Sequence, residues 1–272
     1  MQPSPHQVGF LGAGKMGEAI LAALIRSGCC RPRELIACEA VDARRAEIRR
    51  RYRVKVTTCP ADLAAACDTI VLAVKPQDLD AALLALAPSL ARRHLLVSIA
   101  AGKTLARLQE LAGPQARVVR VMPNLAVAVG EGMSAFALGS RARAADRRWV
   151  ARLLGSCGQA IELDEPLFDA VTALSGSGPA FFAYFMQAMA DAGTALNLPP
   201  GAARLLACQT MLGTARTLGE TAQDPAAFIQ AVCSPKGTTA AGLAVLERSS
   251  VRNAVGRTLR AAARRSRELN RG

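Results

Sequence analysis

Apolar runs of strand length alternate with helical segments through the first ~165 residues of the chain. The strand-like runs are Gln7–Leu11, Glu34–Cys38, Lys55–Val56, Thr69–Val74, Leu95–Ile99, Arg117–Val121 and Gln159–Leu163. Between them the pattern predicts helices at Cys59–Cys67, Gln77–Leu90 and Thr104–Leu111, and the glycine-rich, then strand-like Gly130–Leu138 extends the sheet. Strands alternating with helices imply an α/β fold with a doubly wound parallel sheet. After Glu162–Pro166 the strand-like runs stop. The rest reads as Ala/Leu-rich helices broken at Ser175–Pro179, Leu198–Gly201, Asp224-Pro225 and Ser234–Gly237, so we place a domain boundary near Asp164, with domains 1–164 and 165–272. The helices predicted at Ala180–Asn197 and Ala202–Thr221 are apolar on more than one face, which a small lone bundle cannot hide. The all-α half is therefore expected to pack against a second copy of the chain.

Composition narrows the class. With 51% hydrophobic but only 4% aromatic residues, burial rests on Ala, Leu and Val, which suits close-packed helices and parallel strands. The apolar stretch Gly178–Met186 soon meets Gln187 and Asp191, well short of the ~20 residues that span a bilayer. Met1–Pro5 shows no basic region followed by an apolar segment, so a signal peptide is not expected and a cytoplasmic location is. The eight cysteines include no CxxC pair and the chain has two histidines, which argues against a metal site and for reduced thiols used mostly as small fillers. The net charge of +13 comes largely from arginines at helical spacing beside Ala, Ile and Leu, without interleaved aromatics. That is the pattern of solvated helix faces, and neither a nucleic acid nor a membrane is expected as a partner.

The chemistry starts at Gly12-Ala13-Gly14-Lys15-Met16-Gly17, which follows the run Val8–Leu11 and opens into a helical segment. In that context GxGxxG is a dinucleotide-binding fingerprint and makes the first domain Rossmann-like: Gly12 permits the turn, Gly14 admits a pyrophosphate, and Gly17 lets helix and strand pack closely. Ligands of doubly wound sheets lie beyond the carboxyl ends of the strands. Three such ends are candidate cofactor contacts: Ala73-Val74-Lys75-Pro76, Ala100-Ala101-Gly102, and Met122 with Asn124. Lys75 suits phosphate or substrate charge, and the small residues 100–102 leave room for a flat ring. Glu39, after the second strand, favours the free ribose hydroxyl of NADH, while Arg44 and Arg45 are placed to reach the 2′-phosphate of NADPH. In the helical half, Ser175–Pro179 and Ser234–Thr239 each precede a helix, giving two anion-receptive helix starts. Free N–H groups of Gly237, Thr238 and Thr239 are expected there to hold a substrate carboxylate, although such patterns are also common helix caps.

Five segments in this order, Phe10–Ile20, Ala73–Gln77, Arg120–Asn124, Ala173–Ala180 and Cys233–Thr239, make the chain resemble the pyrroline-5-carboxylate reductases over nearly its whole length. The last two are the specific ones, since the others recur in relatives such as β-hydroxyacid dehydrogenases. The resemblance implies reduction of 1-pyrroline-5-carboxylate to L-proline by NAD(P)H, and a helical domain that dimerises, with rings of dimers in some members. It implies that Thr239 hydrogen-bonds the ring nitrogen as the catalytic contact. It places the substrate carboxylate against the backbone of Gly237 and Thr238, with Ser177 and Lys236 as further substrate residues. In the family this loop meets the cofactor of the partner subunit.

The sequence departs from the family at Lys236, where glycine is usual, at Leu125-Ala126, where Thr-Pro is common, and at Glu39, where a small hydroxyl residue often accepts a 2′-phosphate. If the Lys236 position requires positive φ, a lysine there costs on the order of 1 kcal/mol. The rival readings are another cyclic-imine reductase or 2-hydroxyacid dehydrogenase on the same scaffold, and a nucleotide-binding protein without turnover. Lys236, the one lysine of the helical half, keeps both open.

Overall fold

A computed structural model of the chain describes residues 8–270, so His6 and Gln7 lie outside the described residues. Eight strands form one sheet: β1 (Val8–Leu11), β2 (Leu35–Cys38), β3 (Lys55–Thr57), β4 (Thr69–Leu72), β5 (Leu95–Ser98), β6 (Arg117–Pro123), β7 (Gly132–Leu138) and β8 (Gly158–Glu162). Six helices are interleaved with them: α1 (Lys15–Arg26), α2 (Asp42–Tyr52), α3 (Pro60–Ala66), α4 (Leu79–Leu86), α5 (Leu105–Ala112) and α6 (Ala144–Gly155). A helical tail follows, with α7 (Phe168–Val171), α8 (Gly178–Ala195), α9 (Pro200–Thr221), α10 (Pro225–Val232), α11 (Thr238–Arg248) and α12 (Val251–Leu269).

The sheet order is β3-β2-β1-β4-β5-β6-β7-β8, the doubly wound arrangement in which the chain leaves β1 in both directions. Val8 pairs with Leu35 on one side and Thr69 on the other, so the carboxyl ends of β1, β2 and β4 line up. One expectation needs correcting: β7 runs antiparallel to β6, with Val121 opposite Phe136. The connector holds only a 3₁₀ turn at Leu125–Val129, and a parallel return needs a crossover of about a dozen residues or more, so the chain doubles back. After β7, α6 provides such a crossover and β8 lies parallel to β7.

The central strands are buried on both faces and their side chains split into two core layers. Val8, Phe10, Val71, Val97 and Val119 pack with Ile20 and Leu24 of α1 and Leu153 of α6. Ile70, Leu72, Leu96 and Val118 pack with Leu63, Leu83 and Leu108 of α3, α4 and α5. Cys30 and Cys157 sit in the first layer and Cys38 and Cys67 in the second, as small apolar fillers.

The expected break at Ser175–Pro179 is also different in the structure. Thr172–Gly176 is a π turn between α7 and α8, and the Ser177 N–H donates to the Thr172 carbonyl at 2.8 Å. Pro179, which has no N–H to give, then falls in the first turn of α8. The first of the two anticipated anion-receptive helix starts is therefore closed at Ser177.

The chain separates into two compact units. One runs to Ser177 and takes back the segment from Ala262 onward, and the other is Gly178–Ala261. Within the second, α8 and α9 pack together while leaving large side chains exposed, among them Phe182, Tyr184, Met189, Leu205 and Leu206. Among the described residues no helix is long and apolar enough to cross a membrane.

Charge closes the first unit behind β5. Asp80 of α4 bonds Lys103 Nζ at 2.6 Å and Arg107 Nη2 at 2.8 Å, and these side-chain bonds, Lys103 foremost, hold its carboxyl below the ordinary value of 3.8. A carboxyl that is more acidic when folded contributes stability above its unfolded pKa and loses it as pH falls through the folded value. Urea unfolding of wild type and Asp80→Asn is expected to show the variant less stable near neutral pH, with the gap closing as pH falls through the lowered folded value. A gap that stays constant with pH would show that Asp80 acts through shape and not through charge.

Candidate active site

The site is built on the turn between β1 and α1. Gly12 has φ +91°, and a Cβ there would come within 2.8 Å of the Val74 backbone nitrogen. A Cβ on Gly17 would come within 2.9 Å of Ala73 Cβ and 3.0 Å of the Gly12 carbonyl. These two positions let the end of β1, the start of α1 and the end of β4 approach one another, as the fingerprint requires. Gly14 differs, because a Cβ there would meet nothing within 4 Å. It caps α1 without a side-chain bond, and the first helical bond runs from Glu18 N–H to the Gly14 carbonyl at 2.8 Å. The N–H groups of Lys15, Met16 and Gly17 therefore open toward the space beside Gly14.

That space is a cleft of ≈ 950 Å³ across the carboxyl ends of β1, β4, β5 and β6. Gly14, Lys15 and Met16 line it, as do Ala73, Val74, Lys75 and Pro76 after β4. Ala100 and Ala101 after β5, and Met122 and Asn124 at the end of β6, complete the set that the sequence singled out. Gly12, Ala13 and Gly17 lie beneath this surface as buried support. Lys15 and Lys75 are exposed and make no ion pair with another described residue. Open N–H groups, room at Gly14 and two uncommitted ammonium groups fit the pyrophosphate of a dinucleotide.

Glu39 is placed otherwise than on the cleft wall. Its carboxylate accepts the Ala13 N–H at 2.9 Å and the Val41 N–H at 3.1 Å, so it clamps the glycine turn to the end of β2. Both arginines offered as 2′-phosphate ligands have partners inside the protein. Arg44 donates to the Ala13 carbonyl at 2.9 Å and pairs with Glu47 and Glu18, and Arg45 bonds the Glu39 and Ala40 carbonyls at 2.6 Å each and pairs with Asp42. Burial alone would raise the Glu18 carboxyl, but bonds from Arg44 and Tyr52 outweigh it and hold the carboxyl below its ordinary value. The same burial and the Glu18 bond push the Tyr52 phenol up to about 12.

Asn124 lines the cleft and also braces the turn after β6, whereas Gly102 lies away from the cleft. Asn124 Oδ1 accepts the N–H of Ala126 at 3.2 Å and of Met133 at 3.1 Å, while its Nδ2 faces Ser175 Oγ at 3.4 Å. Gly102 does not line the cleft; at φ +74° it lies against the end of α12. Sequence reasoning missed Gly176, where a Cβ would fall 2.5 Å from Met122 Cε. The π turn that delivers Gly176 to the cleft has no sequence signature beyond its glycines and serines.

The threonine loop belongs to the second unit. Ser234-Pro235-Lys236-Gly237 is a tight turn closed by the Gly237 N–H on the Ser234 carbonyl at 3.0 Å, and Lys236 has φ +62°. Proline followed by a left-handed residue is the pattern of a type II turn. The Gly237 N–H is thus not free, contrary to expectation. Ala241 N–H makes the first helical bond, to the Gly237 carbonyl at 3.2 Å, which leaves the N–H groups of Thr238, Thr239 and Ala240 open.

A family model described as pyrroline-5-carboxylate reductase dimerisation matches residues 165–269, and one described as coenzyme F420-dependent NADP oxidoreductase matches residues 7–102. A pyrroline-5-carboxylate reductase of Synechocystis is 42% identical over 97% of this chain and 98% of its own, and one of Arabidopsis thaliana is 40% identical over 97% and 95%. The chain belongs to the pyrroline-5-carboxylate reductase family. A solved pyrroline-5-carboxylate reductase from Coxiella burnetii has a TM-score of 0.92 at 30% identity, covering 98% of this chain and 99% of that one. A Plasmodium falciparum pyrroline carboxylate reductase with NADP bound has a TM-score of 0.86 at 29% identity, covering 97% and 98%. Membership agrees with a nicotinamide dinucleotide as cofactor and with homo-oligomerisation through the helical half.

In this reductase Gly14 gives a direct test, because its substitution is free of internal clash. Gly14→Ala is expected to keep the wild-type thermal midpoint and to weaken NADH binding about tenfold or more, as the methyl enters the pyrophosphate's approach. Fluorescence titration that finds unchanged affinity would place the pyrophosphate elsewhere.

Proposed function

We infer that the protein reduces 1-pyrroline-5-carboxylate to L-proline with a nicotinamide dinucleotide, the reading carried by near full-length identity of about two in five residues to pyrroline-5-carboxylate reductases. The dinucleotide, when bound, supplies a hydride from its nicotinamide ring. A cyclic imine protonated at nitrogen already carries the charge that draws hydride, so the protein need not supply a strong acid. His94 is unsuited to that role: it is fully buried, with Nδ1 accepting from Ala91 N–H at 2.7 Å and Nε2 on the Ala64 carbonyl at 2.9 Å. Catalysis then rests on positioning.

For the substrate end we propose that Thr239 hydrogen-bonds the ring nitrogen and that the backbone about Thr238 holds the carboxylate, with Lys236, Gly237 and Ser177 as further substrate residues. The open N–H groups of Thr238 and Thr239 support this. For the dinucleotide end we propose NADH over NADPH. Glu39 puts a carboxylate beside the glycine turn, where a 2′-phosphate would be repelled, and Arg44 and Arg45 are already paired with protein groups. We take 165–272 as the functional helical domain, since the dimerisation match begins at residue 165, and propose a dimer that assembles further into a ring in the cytoplasm.

Absorbance at 340 nm in the presence of 1-pyrroline-5-carboxylate tests the reaction, and parallel runs with NADH and NADPH test the preference. Rapid loss with NADH is expected. No loss with either, in folded protein that binds nucleotide, would favour another imine, a 2-hydroxyacid or a binding role. Thr239→Ala is expected to lower turnover by about one to two decades without unfolding, and an unchanged rate would remove Thr239 from the mechanism. Glu39→Ser should shift the ratio of kcat/KM values toward NADPH by roughly tenfold, and a ratio that does not move would show that Glu39 serves the turn alone.

A further inference from the structure

Of the loop Ala100–Gly102, only the small side chains of Ala100 and Ala101 face the cleft, so little on the cleft side sets its position. It is set from behind. A Cβ on Gly102 would lie 3.1 Å from the Leu269 carbonyl, a backbone approach that only glycine at φ +74° allows. Just past the loop, the Leu105 N–H at the start of α5 donates to Glu165 Oε1 at 2.7 Å. The same oxygen accepts Arg120 Nη1 at 2.7 Å. Arg120 is only 4% exposed, with its guanidinium 4.9 Å over the Phe168 ring, and its Nη2 donates to Asn270 Oδ1 at 3.1 Å. Asn270 Nδ2 in turn donates to Asp169 Oδ1 at 2.7 Å, an oxygen shared with Ser266 Oγ at 2.8 Å. One connected network therefore runs from the start of α5, just past the loop, through β6 and α7 to the end of α12, whose Leu269 backs Gly102. A buried guanidinium that loses a partner must move or admit water, so the network fixes its members together.

We propose that the last turn of α12 together with Asn270 just after it is the back-support that holds the Ala100–Gly102 loop against the nicotinamide ring, with Asn270 and Glu165 as positioning residues. This rests on the dinucleotide reading given above. The network touches the glycine turn of β1 nowhere, so its loss acts on the nicotinamide end of the ligand and spares the pyrophosphate end.

That asymmetry is the test. Wild type and Asn270→Ala are titrated with NADH by fluorescence and with ADP-ribose, which lacks the nicotinamide, by competition. Asn270→Ala is expected to weaken NADH roughly tenfold, to leave ADP-ribose within about twofold, and to lower kcat while the KM for the pyrroline stays put. Equal weakening of both ligands, or of neither, overturns the proposal. Wild-type protein that binds neither ligand overturns the dinucleotide reading and this inference with it. Should Asn270→Ala fail to fold, Glu165→Gln retains an acceptor for both bonds but drops the charge, and the same selective loss is expected at smaller magnitude; no selectivity there sinks the idea.

Discussion

The approach of the β1 turn to the end of β4 is the constraint on which the nucleotide site depends. Gly12 and Gly17 have no room for a Cβ because Ala73 and Val74 occupy it, and the Ala73 N–H donates to the Leu11 carbonyl at 2.8 Å. Given that contact, α1 starts with its unpaired N–H groups facing the cleft, and the Val74-Lys75-Pro76 segment forms the opposite lip. Glu39 and Arg44 then grip the same turn through the N–H and the carbonyl of Ala13. Carboxylate and guanidinium thus hold the two successive peptides that flank Ala13, which fixes the orientation of the turn, as an anion cradle made of backbone requires.

A net charge of +13 leads one to expect free arginine around such a cradle. The arginines are used otherwise. Arg44, Arg45, Arg107, Arg117 and Arg120 are bound to carboxylates, and several of them reach backbone carbonyls as well. They tie helices to strand ends, a use suited to a planar fork with several donors. Arg44 lines the cleft with its charge met by Glu18 and Glu47, and the unpaired cations of the lining among the described residues are Lys15 and Lys75, compact charges on flexible stems that adjust to a phosphate.

Much of this was legible in the sequence because the physics was local. Buried parallel strands read as short apolar runs, and the glycine turn declared itself by spacing between strand and helix. The antiparallel β7 was not legible, since its direction follows from the shortness of the connector after Pro123 and not from any residue within it. Ser175–Pro179 reads as a break because glycine, serine and proline cluster there, yet the π turn Thr172–Gly176 takes in the first two of these residues and α8 begins at Gly178, with a single bend at Ser177 between them. Glu39 was read for its charge; that its oxygens serve Ala13 and Val41 depends on how closely the β1 and β2 ends approach. The Arg120–Asn270 bond joins residues 150 positions apart, and no local pattern can announce it.

Lys236 shows how one residue combines the two levels. A type II turn wants φ > 0 at its third position, usually supplied by glycine, and here a lysine takes φ +62° at a cost of about 1–2 kcal/mol. The turn keeps its form because Pro235 presets the preceding dihedral and the Gly237 N–H closes it on Ser234, where a Cβ at Gly237 would come within 2.3 Å of Ser234 Oγ. Closing the turn consumes one N–H, so the anion-receptive groups shift one step along, to Thr238, Thr239 and Ala240. The lysine therefore leaves the open N–H groups at the start of α11 in place. What it changes is the charge at the rim, where an exposed ammonium now stands on a backbone held in place by proline and glycine on either side.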